Sequence, residues 1–111
     1  SNAMSGFEDR EKGFEAKFGH DQETRFKVMA RRNRLLGEWA AEQMGLGDDQ
    51  IDAYAKDVVA SDFEKPGEDD VVEKVLGDFT AKGVSITETD LRKKMDELVS
   101  IAHEQIMESG K

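Results

Sequence analysis

Apolar positions recur at intervals of three and four along most of the chain and nowhere in strict alternation, which predicts helices and no sheet. The longest such pattern lies between Asp21 and Gly45. At 100° per residue, Val28, Met29, Leu35, Leu36, Trp39 and Ala40 fall within roughly 140° of one another and form one face of a long first helix. Asp21 is its expected N-cap, and Gly45-Leu46-Gly47 is the turn that reverses the chain. Trp39, the only tryptophan, is expected at the centre of the core. A second helix, capped by Asp48 or Asp49 and ending near Ala60, presents Ile51, Tyr54, Ala55, Val58 and Val59 at helical spacing. The sole proline, Pro66, disfavours helix at Lys65, and Phe63 in that break is expected to plug the end of the core. A third helix over 68–82 turns Val71, Val75, Leu76 and Phe79 inward and closes at Gly83. Thr87-Glu88-Thr89-Asp90 resembles a capping box with Asp in place of Glu, ahead of the stripe Leu91, Met95, Leu98, Ala102 and Ile106. A fourth helix therefore covers 88–108 and ends at Gly110. Four amphipathic helices with short connections predict an all-α protein, an antiparallel four-helix bundle.

The segment before Asp21 has a different character. Phe7, Phe14 and Phe18 are three of the six phenylalanines, and on a helix they fall within about 40° of one another. A segment this short, with Gly13 inside it, is marginally helical alone and is expected to be a mobile arm in the free protein. Two readings stay open. The stripe either folds back as an extension of the core, or becomes helical by laying its aromatic edge in a partner's groove. Gly19 provides a hinge between arm and bundle, and His20 beside it is either a pH-sensitive joint or an incidental surface residue. Ser1-Asn2-Ala3 reads as an expression scar ahead of Met4. The expected organisation is thus 1–3 scar, 4–20 arm and 21–110 four-helix bundle.

Charge narrows the partners. The net charge of −9 is concentrated between Asp48 and Asp78, which carry net −8, whereas Asp21 to Leu46 carries net +1. Such a surface repels DNA and anionic lipid, so neither nucleic acid nor direct membrane insertion is expected. The acidic middle is either a solvated face or a docking surface for a basic partner. No apolar run approaches a membrane span and no signal-peptide pattern is present, which points to the cytoplasm. With no cysteine and two histidines, neither a disulfide framework nor a zinc site is expected. The acids Asp62, Glu64, Glu68, Asp69 and Asp70 do not match a calcium-binding EF-hand loop. Catalytic chemistry is equally unsupported: His103 has no nucleophilic partner, no serine sits in an elbow motif, and no Gly-rich phosphate loop exists. The protein is read as a non-enzyme that requires no cofactor.

One feature of the long helix points to chemistry. Arg25, Arg32 and Trp39 are spaced by sevens and share the apolar stripe, so two guanidiniums face a packed seam. Each needs a carboxylate, a backbone carbonyl or a bound anion, since an unpaired, desolvated charge costs several kcal/mol. An internal ion pair or a snorkelling arginine answers that need, and so does an anion site for nucleotide phosphates, with Arg31 nearby.

The combination of Phe-Glu-Asp-Arg-Glu at 7–11, Phe-Glu-Ala-Lys-Phe-Gly-His-Asp at 14–21, Ala-Arg-Arg-Asn-Arg-Leu-Leu-Gly-Glu-Trp-Ala-Ala at 30–41, Ser-Asp-Phe-Glu-Lys-Pro-Gly at 61–67 and Glu-Gln-Ile at 104–106 resembles the zeta-subunit family. These are small regulators of the ATP synthase of alpha-proteobacteria. The resemblance implies a bundle whose N-terminal segment inhibits ATP hydrolysis by the soluble catalytic sector of the membrane-bound synthase. The segment wedges between alpha and beta subunits beside the rotor gamma subunit. Carried over to this chain, Phe7, Arg10, Phe14, Lys17 and Phe18 are the expected partner contacts. The family is also described as binding ADP or ATP as regulatory ligands; Arg25, Arg31, Arg32 and Trp39 are where such a site is first sought, because guanidinium forks suit phosphates and an aromatic ring can stack on adenine. The alternatives are a helical interaction module without inhibitory activity and a nucleotide-sensing regulator.

Overall fold

A computed structural model of the chain describes residues 21–62 and 67–109. The aromatic segment before Asp21 and the expected plug Phe63 lie outside them. Among the described residues four helices follow one another: α1 (Gln22–Gln43), α2 (Asp48–Ala60), α3 (Asp69–Ala81) and α4 (Glu88–Ser109).

The helix ends follow from local chemistry. Asp21 caps α1 by accepting from the Glu23 and Thr24 backbone N–H groups at 3.0 and 3.2 Å, while the Thr24 hydroxyl donates to its second oxygen at 3.0 Å. These bonds, with Thr24's backbone N–H foremost, favour the ionised carboxylate and hold Asp21 below its ordinary range. After α1, Gly45 takes φ 73°, which an L side chain resists, and the Leu46 N–H returns to the Ala41 carbonyl at 3.0 Å. The start of α2 differs from expectation. Gly47, not Asp48 or Asp49, is the N-cap. Its N–H donates to the Gln50 side chain at 3.3 Å, which leaves both aspartates in the first turn, where the helix dipole favours negative charge. Thr87 acts as expected at α4, its hydroxyl accepting from the Asp90 N–H at 3.1 Å.

The core contains Leu36 and Ala40 from α1, Val58 from α2, Val71, Val72, Val75 and Phe79 from α3, and Leu91, Met95 and Leu98 from α4. α1 is the shared element: it packs along both α2 and α4, and α3 meets the other three over shorter stretches. Close approach of α1 and α2 depends on Gly37, where an added Cβ would lie 2.6 Å from the Ala55 Cα. That spacing also moves Trp39 from its expected place. The residues at the narrow seam are Leu36, Gly37, Ala40 and Ala41, so the indole stands on the shoulder of α1, partly buried. It meets Phe79 edge-on at 5.9 Å between ring centroids and 74° between planes. Phe79, 1% exposed, is the aromatic centre instead. No helix among the described residues is long and apolar enough to cross a membrane.

Candidate functional site

Two features of α1 bear on function, one inside the bundle and one outside. The internal feature is built on Arg32, which is 1% exposed. Its Nε donates to Asn33 Oδ1 at 2.7 Å and its Nη1 lies 3.8 Å from Glu68 Oε1. Asn33, also 1% exposed, donates in turn to Asp62 Oδ2 at 2.8 Å. Burial lowers the pKa of Arg32, and the charges of Glu68, Asp62 and Asp96 oppose that shift. Burial raises Asp62 above its ordinary value, against the pull of the Asn33 hydrogen bond and of Arg32. Glu68 is shared, since its other oxygen accepts from Arg92 Nη1 at 3.0 Å. Arg92 also donates to Asp69 and Glu88 at 3.1 and 2.9 Å. One network therefore ties α1 to the start of α3 and the first turns of α4. Arg32 Nη2 is buried and finds no hydrogen-bond partner among the described residues.

The external feature is a cleft of about 420 Å³ where α1, α2 and α4 meet. Its floor is apolar, formed by Phe26 and Ala30 of α1, Val59 of α2 and Ile106 of α4. Phe26 and Ala30 are one helical turn apart, and Arg34 is the next in that row. Phe26 is 64% exposed, the most exposed large apolar side chain described. Lys27, Arg31, Arg34 and Lys56 make the rim. Arg34 holds Asp52 at 2.6 Å and Glu38 at 3.4 Å. Its hydrogen bond is the main reason that Asp52 titrates below the ordinary carboxylate range. Lys56 pairs with the same Asp52 at 3.2 Å, Lys27 pairs with Glu23 at 3.0 Å, and Arg31 donates to the neutral Gln105 of α4 at 2.9 Å. Within a strongly acidic protein this rim gathers four cations around an apolar floor.

The four residues expected around a nucleotide are not gathered in one place. Arg32 faces the interior and spends its charge on Glu68, the internal ion pair that the seam geometry allows. Arg31, the next residue but one turn of about 100° away, faces the cleft instead. Trp39 packs on Phe79, with Lys94 Nζ 5.7 Å from its ring centroid. Arg25 is partly buried near the start of α1. The arm positions Phe7, Arg10, Phe14, Lys17 and Phe18 lie outside the described residues. Sequence reasoning missed Phe26, Lys56 and Asn33, and it read Val59 and Ile106 as members of apolar stripes, without the cleft they line. The available signal was the row Phe26, Ala30, Arg34 on the flank of the apolar stripe, but its partners come from helices 30 and 80 residues away. Among the described residues no three histidine, aspartate or glutamate side chains are grouped so as to hold a metal.

The described residues thus form an all-α bundle with an apolar, cation-rimmed cleft on its surface. A family model described as ATPase inhibitor subunit zeta matches residues 4–105. The chain belongs to that family. A protein whose structure was determined in solution by NMR is 44% identical to it and superposes with a TM-score of 0.68 over 76% of this chain and 95% of that one. Among curated proteins there is no match.

Proposed function

We propose that the chain is a regulatory inhibitor of ATP hydrolysis by the catalytic sector of a bacterial ATP synthase. The inhibiting element is the arm of residues 4–20, and the helical bundle carries and positions it. The observation that supports this reading is that the family match begins at residue 4 and so takes in the arm as well as the bundle. Phe7, Phe14 and Phe18 give a helical arm one aromatic edge to bury between an alpha and a beta subunit beside gamma. Arg10 and Lys17 stand off that edge, placed to pair with carboxylates of the partner. The protein catalyses nothing itself on this reading. It binds one rotary state more tightly than the others and thereby shifts the population of another enzyme. Its place is the cytoplasmic face of the synthase.

The test is titration of purified synthase with the full chain and with a chain lacking residues 4–19. The full chain should suppress hydrolysis and the truncated chain should not; equal suppression by both removes the arm from the mechanism. Phe14→Ala should raise the half-inhibiting concentration at least tenfold, because a buried aromatic anchor at an interface contributes about 2 kcal/mol or more. Control by ADP or ATP is measured in the same assay. A response to ADP that survives removal of the arm assigns nucleotide sensing to the bundle, where Arg25 and Arg31 remain within reach of solvent. The absence of any response removes it.

A further inference from the structure

The cleft between α1, α2 and α4 reverses the sign of the protein. From Arg25 to Arg34 the chain holds five basic residues and no acid, although the whole sequence has 25 acids against 16 lysines and arginines. We propose that this cleft is a docking surface for a partner protein that offers an acidic amphipathic helix. Its apolar edge lies on Phe26, Ala30, Val59 and Ile106, and its carboxylates meet the cations around them. The inference concerns the described bundle and stands whether or not the inhibitory reading does.

Charge selects the sign of the occupant. Arg32 is spent inside the bundle on Glu68, while Lys27, Arg31 and Arg34 stand at the rim and Lys56 joins them from α2. Lys27 pairs with Glu23, and Arg34 and Lys56 share Asp52, both carboxylates being more than half exposed. Ion pairs so open to water hold weakly and yield to a better placed carboxylate. Arg31 is the stronger attractor, since its partner among the described residues is the neutral Gln105. A guanidinium has five donors in a planar fork, so a carboxylate binds there without displacing one of the protein's own acids. Shape selects the form. The row Phe26, Ala30, Arg34 runs about 12 Å along α1, the length of two turns of a helix laid beside it. The described residues form helices and no strand, so an extended peptide finds no edge on which to pair its backbone, whereas a helix arrives with those bonds made. Phe26, 64% exposed, is the anchor: apolar side chains one turn apart bracket its ring and remove apolar surface from water on both sides. An anionic lipid surface would meet the same cations, but a broad anion is opposed by the net charge of −9 around them, and a narrow helix confined to the cleft is not. Two turns of contact make less than a standard interface, so the affinity is modest, about 0.1 mM.

The probes are three end-capped peptides of about 14 residues, long enough to form a helix, titrated into the isotope-labelled full chain. The first carries a leucine edge at one-turn spacing flanked by glutamates. The second replaces the glutamates by lysines, and the third replaces the leucines by serines. The first should shift the amide signals of Phe26, Ala30, Arg31 and Val59 to saturation and leave Glu73 and Gly77 on α3 in place. The other two should bind at least tenfold more weakly. Phe26→Ser and Arg31→Glu, two substitutions outside the core, should each keep the thermal midpoint and weaken the glutamate peptide about tenfold, and Arg31→Glu should strengthen the lysine peptide. Equal binding of the lysine peptide removes the role of charge, and equal binding of the serine peptide removes the role of the floor; either overturns the proposal. It is overturned as well if the glutamate peptide shifts other faces of the bundle instead, or shifts nothing. Two further outcomes also sink it. Shifts at the cleft that grow with the protein's own concentration assign it to a second copy, and shifts produced there by phosphatidylglycerol vesicles but not by the glutamate peptide assign it to a lipid surface.

Discussion

Arg32 is the residue whose chemistry was most legible in advance and whose surroundings were least so. Its sevenfold spacing from Arg25 and Trp39 put a guanidinium in the seam, and the need for a carboxylate followed from desolvation alone. That Glu68 would supply it from the start of α3, and that Asn33 would be buried beside it to hold Asp62 at the end of α2, required the fold, because side chains 29 and 36 residues away meet only when α2 and α3 are packed on α1. Arg32→Ala leaves Glu68 with Arg92 alone and Asp62 with only the Asn33 amide, and it empties the volume of a fully buried side chain, so it should cost about 3 kcal/mol in urea unfolding at neutral pH. Arg32→Met fills much of the same volume and should cost less. Asp62 offers a second test with a definite sign. Its native pKa lies above the ordinary 3.8, so the folded state holds that proton more tightly than the unfolded chain does. Asp62 therefore favours folding below its ordinary value, and that contribution is lost as pH rises through the native value. The attraction to Arg32 is already contained in this net direction. Asp62→Asn keeps an acceptor for Asn33 and removes the titration, so its stability relative to the parent should rise between pH 3.5 and pH 7 in a series of urea midpoints.

The helices themselves were readable because each carries an apolar stripe, and α1 and α4 add a side-chain cap while α1 and α3 add a glycine at the exit. Asp21, Thr87, Gly45 and Gly83 do what their residue types dictate. Gly47 displaced the expected aspartate caps because Gln50, three residues on, reaches back to its N–H, a pairing that competes closely with capping by Asp48 or Asp49. What no single helix reveals is which residues touch the next one. Gly37 and Gly77 are both glycines inside helices, and propensity alone values replacement by alanine at about 1 kcal/mol in favour of folding at either place. The structure separates them. At Gly77 an added Cβ meets nothing within 4 Å, so Gly77→Ala should raise stability by about 0.5–1 kcal/mol. At Gly37 the same methyl lies 2.6 Å from a backbone atom of α2, and since backbone cannot rotate away, α1 and α2 must part. Overpacking costs about 1–3 kcal/mol and outweighs the propensity gain, so Gly37→Ala should lower the thermal midpoint and Gly77→Ala should raise it.

At the scale of the whole molecule, the cleft was invisible in the sequence for the reason that Arg32's partners were: Phe26, Val59 and Ile106 are each ordinary on their own helices and become a floor only where three helices converge. The bundle is also unequal in how it is held. α1 lies along α2 and α4, while α3 meets its neighbours over short stretches and starts on the Arg92 network to Glu68, Asp69 and Glu88. Regions with few packed neighbours open at lower free energy than the rest, so α3 should exchange its amide hydrogens faster than α1 although Val71, Val75 and Phe79 are buried within it. Arg92 is partly solvated, and each of its ion pairs contributes little alone. It nevertheless joins two helix starts through three carboxylates, a geometry in which the contributions combine. Arg92→Ala should therefore lower the opening free energy of α3 by about 1 kcal/mol, a roughly fivefold loss of hydrogen-exchange protection. Protection along α1 and α2 should stay unchanged, because neither helix contributes a partner to Arg92. An equal loss of protection in all four helices would mean instead that α3 opens only when the whole bundle unfolds.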